Sequence, residues 1–163
     1  MALKHSQIHG KKEGSLYFHS NSNYTYQNWI EYFDKITEEK LKILNIEYQR
    51  ITNRPLISII VPVYNVNTSI FLETIQSVKD QIYENWELII VDDLSTDKGL
   101  IELLIQIEES DERITVIFRN ENGHISVASN TALKHVSGEF VAFLDHDDLL
   151  REHSLLRLVQ TIN

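Results

Sequence analysis

Four short apolar runs, separated by stretches with helical periodicity, constrain the fold of this chain more than any other feature. Each run is rich in Ile, Val, Leu or Phe, and such runs are typical of strands buried on both faces of a parallel sheet. The stretches between them carry apolar residues three and four apart, as amphipathic helices do. The alternation predicts an α/β fold, a mostly parallel sheet with helices on both faces. The predicted strands are residues 56–63, 87–91, 113–118 and 140–144.

The helices between the strands are delimited by residues that commonly begin or end a helix. Thr68 or Ser69 is expected to cap the first helix, and Asp97 the second. Gly138 is expected in the left-handed conformation that often follows a helix end. The predicted helices cover about residues 68–82, 98–109, 125–135 and 151–162.

A polar cluster follows each predicted strand. Right-handed crossovers place the carboxyl ends of parallel strands at one edge of the sheet, so we expect these clusters to converge. Ligands of open α/β sheets bind at that edge. The sequence therefore predicts one ligand site, built from four separated segments. These segments are Tyr64-Asn65, Asp92-Asp93, Asn120–Asn122 and Asp145–Asp148.

The last of these clusters is the most acidic. Asp145, Asp147 and Asp148 place three carboxylates within four positions, and they repel one another unless a cation or N–H donors offset the charge. In an extended backbone Asp145 and Asp147 point the same way. One interpretation is that these carboxylates bind Mg²⁺ or Mn²⁺, and that the ion binds a phosphate-bearing substrate. The other is a helix N-terminus, with one Asp as cap and the others favoured by the helix dipole.

Composition and missing motifs exclude several classes of protein. The formal net charge of −9 argues against binding nucleic acid or an anionic membrane surface, which both attract basic patches. The chain has no cysteine, and no apolar run approaches the ~18 residues needed to span a bilayer. Neither a G-x-G-x-x-G after the first strand nor a G-x-x-x-x-G-K-[ST] is found, so the glycine-rich phosphate loops are not supported.

The N-terminal part of the chain forms a predicted extension, residues 1–54, ahead of a domain at 55–163. Within the extension, about residues 27–51 carry a stripe of apolar residues at helical spacing, with charged residues between them. An amphipathic helix of this kind needs a partner, which is the main domain, a second copy of the chain or part of a longer protein. The stripe consists of Ile30, Phe33, Ile36, Leu41, Leu44, Tyr48 and Ile51.

Three motifs in order, PLISIIVPVYN at 55–65, ENWELIIVDDLSTD at 84–97 and GEFVAFLDHDDLL at 138–150, resemble the family 2 glycosyltransferases. The resemblance covers Pro55 to about Leu158. It implies the GT-A (Rossmann-like) fold and a nucleotide-sugar donor. The segment NGHISVASNTAL at 122–133, followed by LDHDD, is similar to bacterial members that build cell-surface polysaccharide.

The resemblance also implies a role for individual residues of the nucleotide pocket. Pro62, Tyr64 and Asn65 would wall the pocket. Asp93 would accept a hydrogen bond from a uracil-type N3–H, with Asp92 beside it.

The segment Asp145-His146-Asp147 corresponds to the DXD motif of the family. Asp147 would be the main ligand of Mn²⁺ or Mg²⁺, and Asp145 would reach the metal or the ribose. His146 would point away from the ion. Asp148 would share the ion or, as we favour slightly, cap the final helix.

The partners implied by the resemblance are a nucleotide-diphosphate sugar, UDP-linked, and a glycan acceptor. The implied location is the cytoplasm, or the inner face of the membrane as a peripheral protein. In the family a carboxylate base in an acceptor-binding half follows the DXD helix. No candidate for it lies beyond Leu158 here, so we expect a donor-binding half that is inactive alone.

Two other hypotheses remain open from the sequence. The first is a non-catalytic module that binds nucleotides or assembles into homo-oligomers through the helix at about 27–51. The second is a phosphoacceptor receiver-like domain that uses Asp92 and Asp93. It is disfavoured because the last predicted strand ends in acids, where a receiver would need a lysine.

Overall fold

The computed structural model describes Ile30 and residues 35–163. The chain divides into two compact units, Met1–Thr37 and Glu38–Asn163. The second unit alternates helices and strands along the chain. Its elements are α1 (Glu38–Arg50), β1 (Ile57–Val63), α2 (Thr68–Lys79), β2 (Trp86–Asp92), α3 (Lys98–Ser110), β3 (Ile114–Phe118), α4 (His124–Ala132), β4 (Phe140–Phe143) and α5 (Ser154–Ile162).

The four strands form one parallel sheet in the order β3-β2-β1-β4, which confirms the predicted α/β architecture. Right-handed crossovers place α2 and α3 on one face and α4 on the other, because the chain reverses its direction across the sheet after β3. Under α4 lies an apolar cluster that includes Ile60, Ile89 and Ala128. Ile59 and Leu88, which alternate with the first two, are also fully buried, so helices cover both faces.

The prediction that the last strand is buried on both faces is wrong. Among the described residues β4 pairs only with β1, at the edge of the sheet. Three of its four residues are exposed, and Phe143 keeps 64% of its surface in solvent. An apolar run shows that a segment is hydrophobic and extended, but tertiary structure decides whether the segment becomes a central or an edge strand.

The helix starts agree only in part with the predicted caps. Asp97 caps α3, as predicted, by accepting a hydrogen bond of 2.9 Å from the Gly99 amide. The cap of α2 is Asn67 rather than Thr68 or Ser69, and its Oδ1 accepts from the amide of Ser69 at 3.0 Å. An amide oxygen one position earlier satisfies the same free N–H groups of the first turn.

The N-terminal helix α1 begins at Glu38, whereas helix was predicted from about residue 27. Residues 35–37 are not helical, and residues 27–29 and 31–34, with Phe33 of the stripe, lie outside the described residues. Leu44 and Tyr48 are buried in the unit that contains the sheet. The ring of Tyr48 meets that of Tyr83 edge-on at a centroid distance of 5.9 Å. The helix therefore packs part of its apolar stripe within unit 38–163, whereas Leu41 stays exposed.

The prediction that Gly138 adopts a left-handed conformation is wrong. Glycine is needed here because the backbone of β1 comes close to its Cα. A Cβ at this position would lie 2.6 Å from both the Leu56 carbonyl oxygen and the Ser58 hydroxyl, too close for any side chain. Its amide donates to Ser58 Oγ at 2.9 Å and to Glu87 Oε1 at 3.2 Å. Glu87 Oε1 also accepts from Ser58 Oγ at 2.6 Å and from the Ser137 amide. This junction, which we call the Glu87 junction, ties the entry of β4 to β1 and β2.

The Glu87 junction predicts a specific loss of stability in acid. Burial raises the pKa of Glu87, but the hydrogen bonds from Ser58, Ser137 and Gly138 outweigh it and hold the pKa below its usual value. A lowered folded-state pKa adds stability above the unfolded-state pKa of about 4.3, and this stability is lost as the pH falls through the folded value. We therefore expect Glu87→Gln to cost on the order of 1 kcal/mol at pH 7. Urea unfolding should show the difference shrinking below about pH 4. A difference that stays constant down to pH 2 would contradict this assignment.

Candidate functional site

The carboxyl ends of the four parallel strands lie at one edge of the sheet, and hydrogen bonds join the tips of β1 and β2. The amide of Asn65 donates to Ser95 Oγ at 2.9 Å, and Asn65 Oδ1 accepts from the Thr96 amide at 2.8 Å. Asn65 has φ 46°, a left-handed conformation that Asn adopts more readily than most residues. The Asn65 side chain therefore orders the turn that follows Asp92 and Asp93.

Asp93 is buried at the tip of β2, where four partners hold it. Its amide donates to the Val63 carbonyl of β1 at 2.8 Å. Its carboxylate accepts from Arg119 Nε at 2.7 Å and from the Gly123 amide at 3.0 Å. Asn122 Nδ2 donates to the Asp93 carbonyl at 3.0 Å. The loop after β3 therefore closes onto the end of β2, which joins the third predicted cluster to the second.

Arg119 is the residue of this edge to which the sequence assigned no role. Its side chain is only 11% exposed, and its guanidinium also donates to the Thr131 hydroxyl of α4. The Asp93–Arg119 pair thus holds together the tip of β2, the loop after β3 and α4. A single basic residue in a polar loop gave no sign of this, because its partner is 26 residues away in the sequence.

Asp92 is buried beside this pair but is incompletely bonded. Its Oδ2 accepts from the Ser95 amide at 3.0 Å. Within the described part of the chain its Oδ1 is buried without a hydrogen-bond partner. A buried carboxylate oxygen without a donor is costly, so this atom is a place for a donor from a ligand or an ordered water.

Pro62 and Tyr64 frame the end of the central strand β1. Pro62 pairs with Val91 of β2 and lies two residues beyond Ile60, the last β1 residue that pairs with β4. The N–H that proline lacks would face the β4 side past the end of that strand, so no ladder bond is lost. Tyr64 is half exposed, which leaves its ring available for stacking.

The acidic cluster forms a turn rather than an extended segment. The amide of Asp148 donates to the Asp145 carbonyl at 3.2 Å, so the alternation expected for Asp145 and Asp147 does not apply. The prediction that Asp148 caps the final helix is wrong, because α5 begins at Ser154. His146 is partly buried, whereas Asp145, Asp147 and Asp148 are exposed. No hydrogen bond or ion pair to these three carboxylates occurs within residues 35–163.

The donor set of this turn fits a divalent cation that a ligand helps to hold. In the part of the chain that the structure describes, no group of three or more His, Cys, Asp or Glu could hold a metal ion alone. Mg²⁺ and Mn²⁺ suit oxygen donors, and Mg²⁺ keeps several waters and commonly takes one or two carboxylates plus substrate phosphates. Asp145 and Asp147 supply two such carboxylates, and no donor from residues 35–163 competes for them.

A shallow cavity of about 440 Å³ lies away from this edge, between α1 and α5. Two of its charged side chains pair with each other, Arg157 Nη1 with Glu47 Oε2 at 2.8 Å. The candidate site is therefore the carboxyl edge of the sheet.

No helix in the described part of the chain has the length and apolar character needed to cross a bilayer.

Two solved structures are similar to this fold. S. aureus TarS 1-349 in complex with UDP-GlcNAc matches with a TM-score of 0.59 and 31% identity, over 65% of this chain and 30% of that one. The mannosyltransferase PcManGT from Pyrobaculum calidifontis, in complex with GDP-Man and Mn²⁺, matches with a TM-score of 0.61 and 27% identity, over 74% of this chain and 39% of that one. Together with the parallel sheet, these matches identify the fold as α/β and GT-A-like.

The sequence comparisons agree with the structural ones. The putative teichuronic acid biosynthesis glycosyltransferase TuaG of Bacillus subtilis (strain 168) is 47% identical over 102 residues, which are 63% of this chain and 40% of TuaG. The chain spans less than half the length of the first curated relatives that it matches. The family model described as Glycosyl transferase family 2 matches residues 58–163, which include all of β1 but its first residue and the tips of all four strands. With fold, strand-end chemistry and family model in agreement, the chain belongs to glycosyl transferase family 2.

Proposed function

We propose that this chain is the donor-binding part of a glycosyltransferase that moves a sugar from a UDP-linked donor to a glycan acceptor in surface polysaccharide synthesis. The observation that carries the proposal is the carboxyl edge itself, where polar strand ends converge beside an exposed acidic turn. The TarS complex contains UDP-GlcNAc, and TuaG is named for teichuronic acid synthesis, which support the donor and the acceptor class. The proposed location, the cytoplasm or the inner face of the membrane, rests on the family resemblance.

In this proposal the nucleoside binds across the tips of β1 and β2. Tyr64 stacks against the base, and Pro62 and Asn65 shape the wall of the pocket. Asp93 accepts the base N–H, since a carboxylate has about four lone-pair sites and Arg119 and Gly123 leave part of that capacity free. Asp92 offers its unpartnered Oδ1 beside it.

Asp145 and Asp147 would hold Mn²⁺ or Mg²⁺ together with the donor diphosphate, with Asp147 as the main ligand and Asp145 shared with the ribose. A bound divalent cation would offset the negative charge on the diphosphate leaving group. Sugar transfer also needs a base that deprotonates the acceptor hydroxyl, and we assign this role to no described residue. We therefore propose that the 163 residues alone bind a nucleotide and transfer nothing; robust sugar transfer by the purified chain would contradict this.

The test is a thermal-shift panel on the 163-residue chain. We expect UDP with Mn²⁺ to raise the melting temperature more than either component alone, because a ligand that binds only the folded state stabilises it by mass action. GDP, CDP and ADP with Mn²⁺, which keep the diphosphate and change only the base, test which base is bound. If no nucleotide has an effect while the chain forms concentration-dependent oligomers, the interaction module is the better hypothesis.

A further inference from the structure

Three polar side chains on one side of α2 bind the backbone of the segment that carries the acidic turn. Thr74 Oγ1 donates to the His146 carbonyl at 2.9 Å. Ser77 Oγ accepts from the Leu150 amide at 3.1 Å. Gln81, just past the end of α2, donates from Nε2 to the Arg151 carbonyl at 2.7 Å and accepts at Oε1 from the Leu155 amide at 3.0 Å. We call Thr74, Ser77 and Gln81 the α2 polar row.

The α2 polar row occupies positions where a helix normally buries apolar residues. Thr74 lies between Phe71 and Ile75 on the buried face of α2 and is fully buried, and Gln81 is 5% exposed. Buried polar side chains lower stability unless they find partners. Here the partners are backbone carbonyls of α2 itself and backbone groups of the one loop that carries the acidic turn. The spacing of three and four residues aligns the row along that loop.

This arrangement leaves the acidic side chains free for a ligand. Three neighbouring carboxylates repel one another, and in the described part of the chain none of them is bonded by protein groups. The loop is held instead through its main chain, and Thr74 bonds the carbonyl that lies between Asp145 and Asp147. Groups that orient metal ligands from outside typically change metal affinity 10–100-fold when removed.

We propose that Thr74 is a positioning residue for the cation–diphosphate part of the site, with Ser77 and Gln81 fixing the rest of the loop. The proposal rests on the proposed function above. Thr74 touches neither nucleotide nor metal and acts only by holding Asp145 and Asp147 at the spacing that the ion requires. The nucleoside part of the site, built from Tyr64 and Asp93, does not depend on it.

The experiment uses Thr74→Val, which keeps the shape of the side chain and removes the hydroxyl. The dissociation constant of UDP is measured calorimetrically with and without Mn²⁺, and bound Mn²⁺ is counted by electron paramagnetic resonance. In the unaltered chain Mn²⁺ is expected to raise the affinity for UDP by some factor, which we call the Mn²⁺ gain. We expect the Mn²⁺ gain to be about 10-fold smaller in the variant. UDP affinity without Mn²⁺ should remain within about twofold, and Thr74→Ser should restore the Mn²⁺ gain.

Two further variants separate positioning from stability. Among the described residues the Thr161 hydroxyl bonds only the Arg157 carbonyl of its own helix, so Thr161→Val should leave the Mn²⁺ gain unchanged. Ser77→Ala tests the row if Thr74→Val does not fold, and it should reduce the Mn²⁺ gain in the same direction. Equal Mn²⁺ gains in the unaltered chain and in a folded row variant would overturn the positioning role alone. An unaltered chain that binds neither UDP nor GDP, with or without Mn²⁺, would overturn the proposed function and this inference with it.

Discussion

Asp147→Ala is expected to abolish the Mn²⁺-dependent stabilisation of this protein by UDP. At a ligand concentration about 10 times Kd, a folded-state ligand adds about 1.4 kcal/mol, which corresponds to a rise of roughly 3–6 °C in Tm for a chain of this size. The variant should lose the part of this rise that requires Mn²⁺. Asp147 is exposed and no hydrogen bond to its side chain occurs among the described residues, so its removal should leave the fold intact.

Two controls make the Asp147 experiment specific. Asp147→Asn keeps the size of the side chain and removes its charge, and it should behave like the alanine variant if the carboxylate binds the ion. Glu102→Ala removes one exposed acid from α3, far along the chain from the acidic turn Asp145–Asp148, and should leave the Mn²⁺ effect unchanged. If Asp147→Ala still shows the full Mn²⁺-dependent rise in Tm, Asp145-His146-Asp147 is not the metal-binding DXD motif.

Arg119→Met is expected to destabilise the fold by about 3–5 kcal/mol, the range for breaking a buried ion pair from one side. The variant leaves the Asp93 carboxylate buried, with a side-chain exposure of 4%, and without its compensating charge. It also removes the bond to Thr131, which fastens α4. Urea unfolding followed by circular dichroism should show an earlier midpoint with a similar slope.

The matched control for Arg119 is Arg157→Met. Arg157 pairs with Glu47 at 2.8 Å, but the two side chains are 46% and 33% exposed, so this pair should contribute only about 0–1 kcal/mol. Combining Arg119→Met with Asp93→Asn should recover part of the loss, because the second substitution removes the charge that Arg119 no longer offsets. An effect of Arg119→Met no larger than that of Arg157→Met would show that the pair does not hold the edge together.

The strands and the ends of the parallel sheet could be predicted because they depend on local pattern. In a run such as residues 56–63, Ser58 is the only residue with a polar side chain, so neither face of the strand suits solvent. Alternation of such strands with helices indicates a parallel sheet. Once the sheet is parallel, the polar tips must share an edge. The cap at Asp97 was equally local, since its partner is two residues away.

The partners of polar groups could not be predicted when they lie far away in the sequence. Ser58 and Glu87, which are 29 residues apart, form the junction that binds the Gly138 amide. Thr74 donates to the carbonyl of His146, 72 residues later. Thr74 did leave one signal, a hydroxyl within the apolar stripe of α2. That signal predicts a buried partner but does not say which one.

The element order, the parallel sheet and the set of polar strand ends follow from local pattern, because hydrophobic periodicity and chain connectivity act over short distances. Contacts between distant segments place β4 at the edge, hold Asp145–Asp148 as a turn against α2, and pair Arg119 with Asp93. These features depend on which surfaces meet after the chain has folded, and burial and long-range hydrogen bonds select them together.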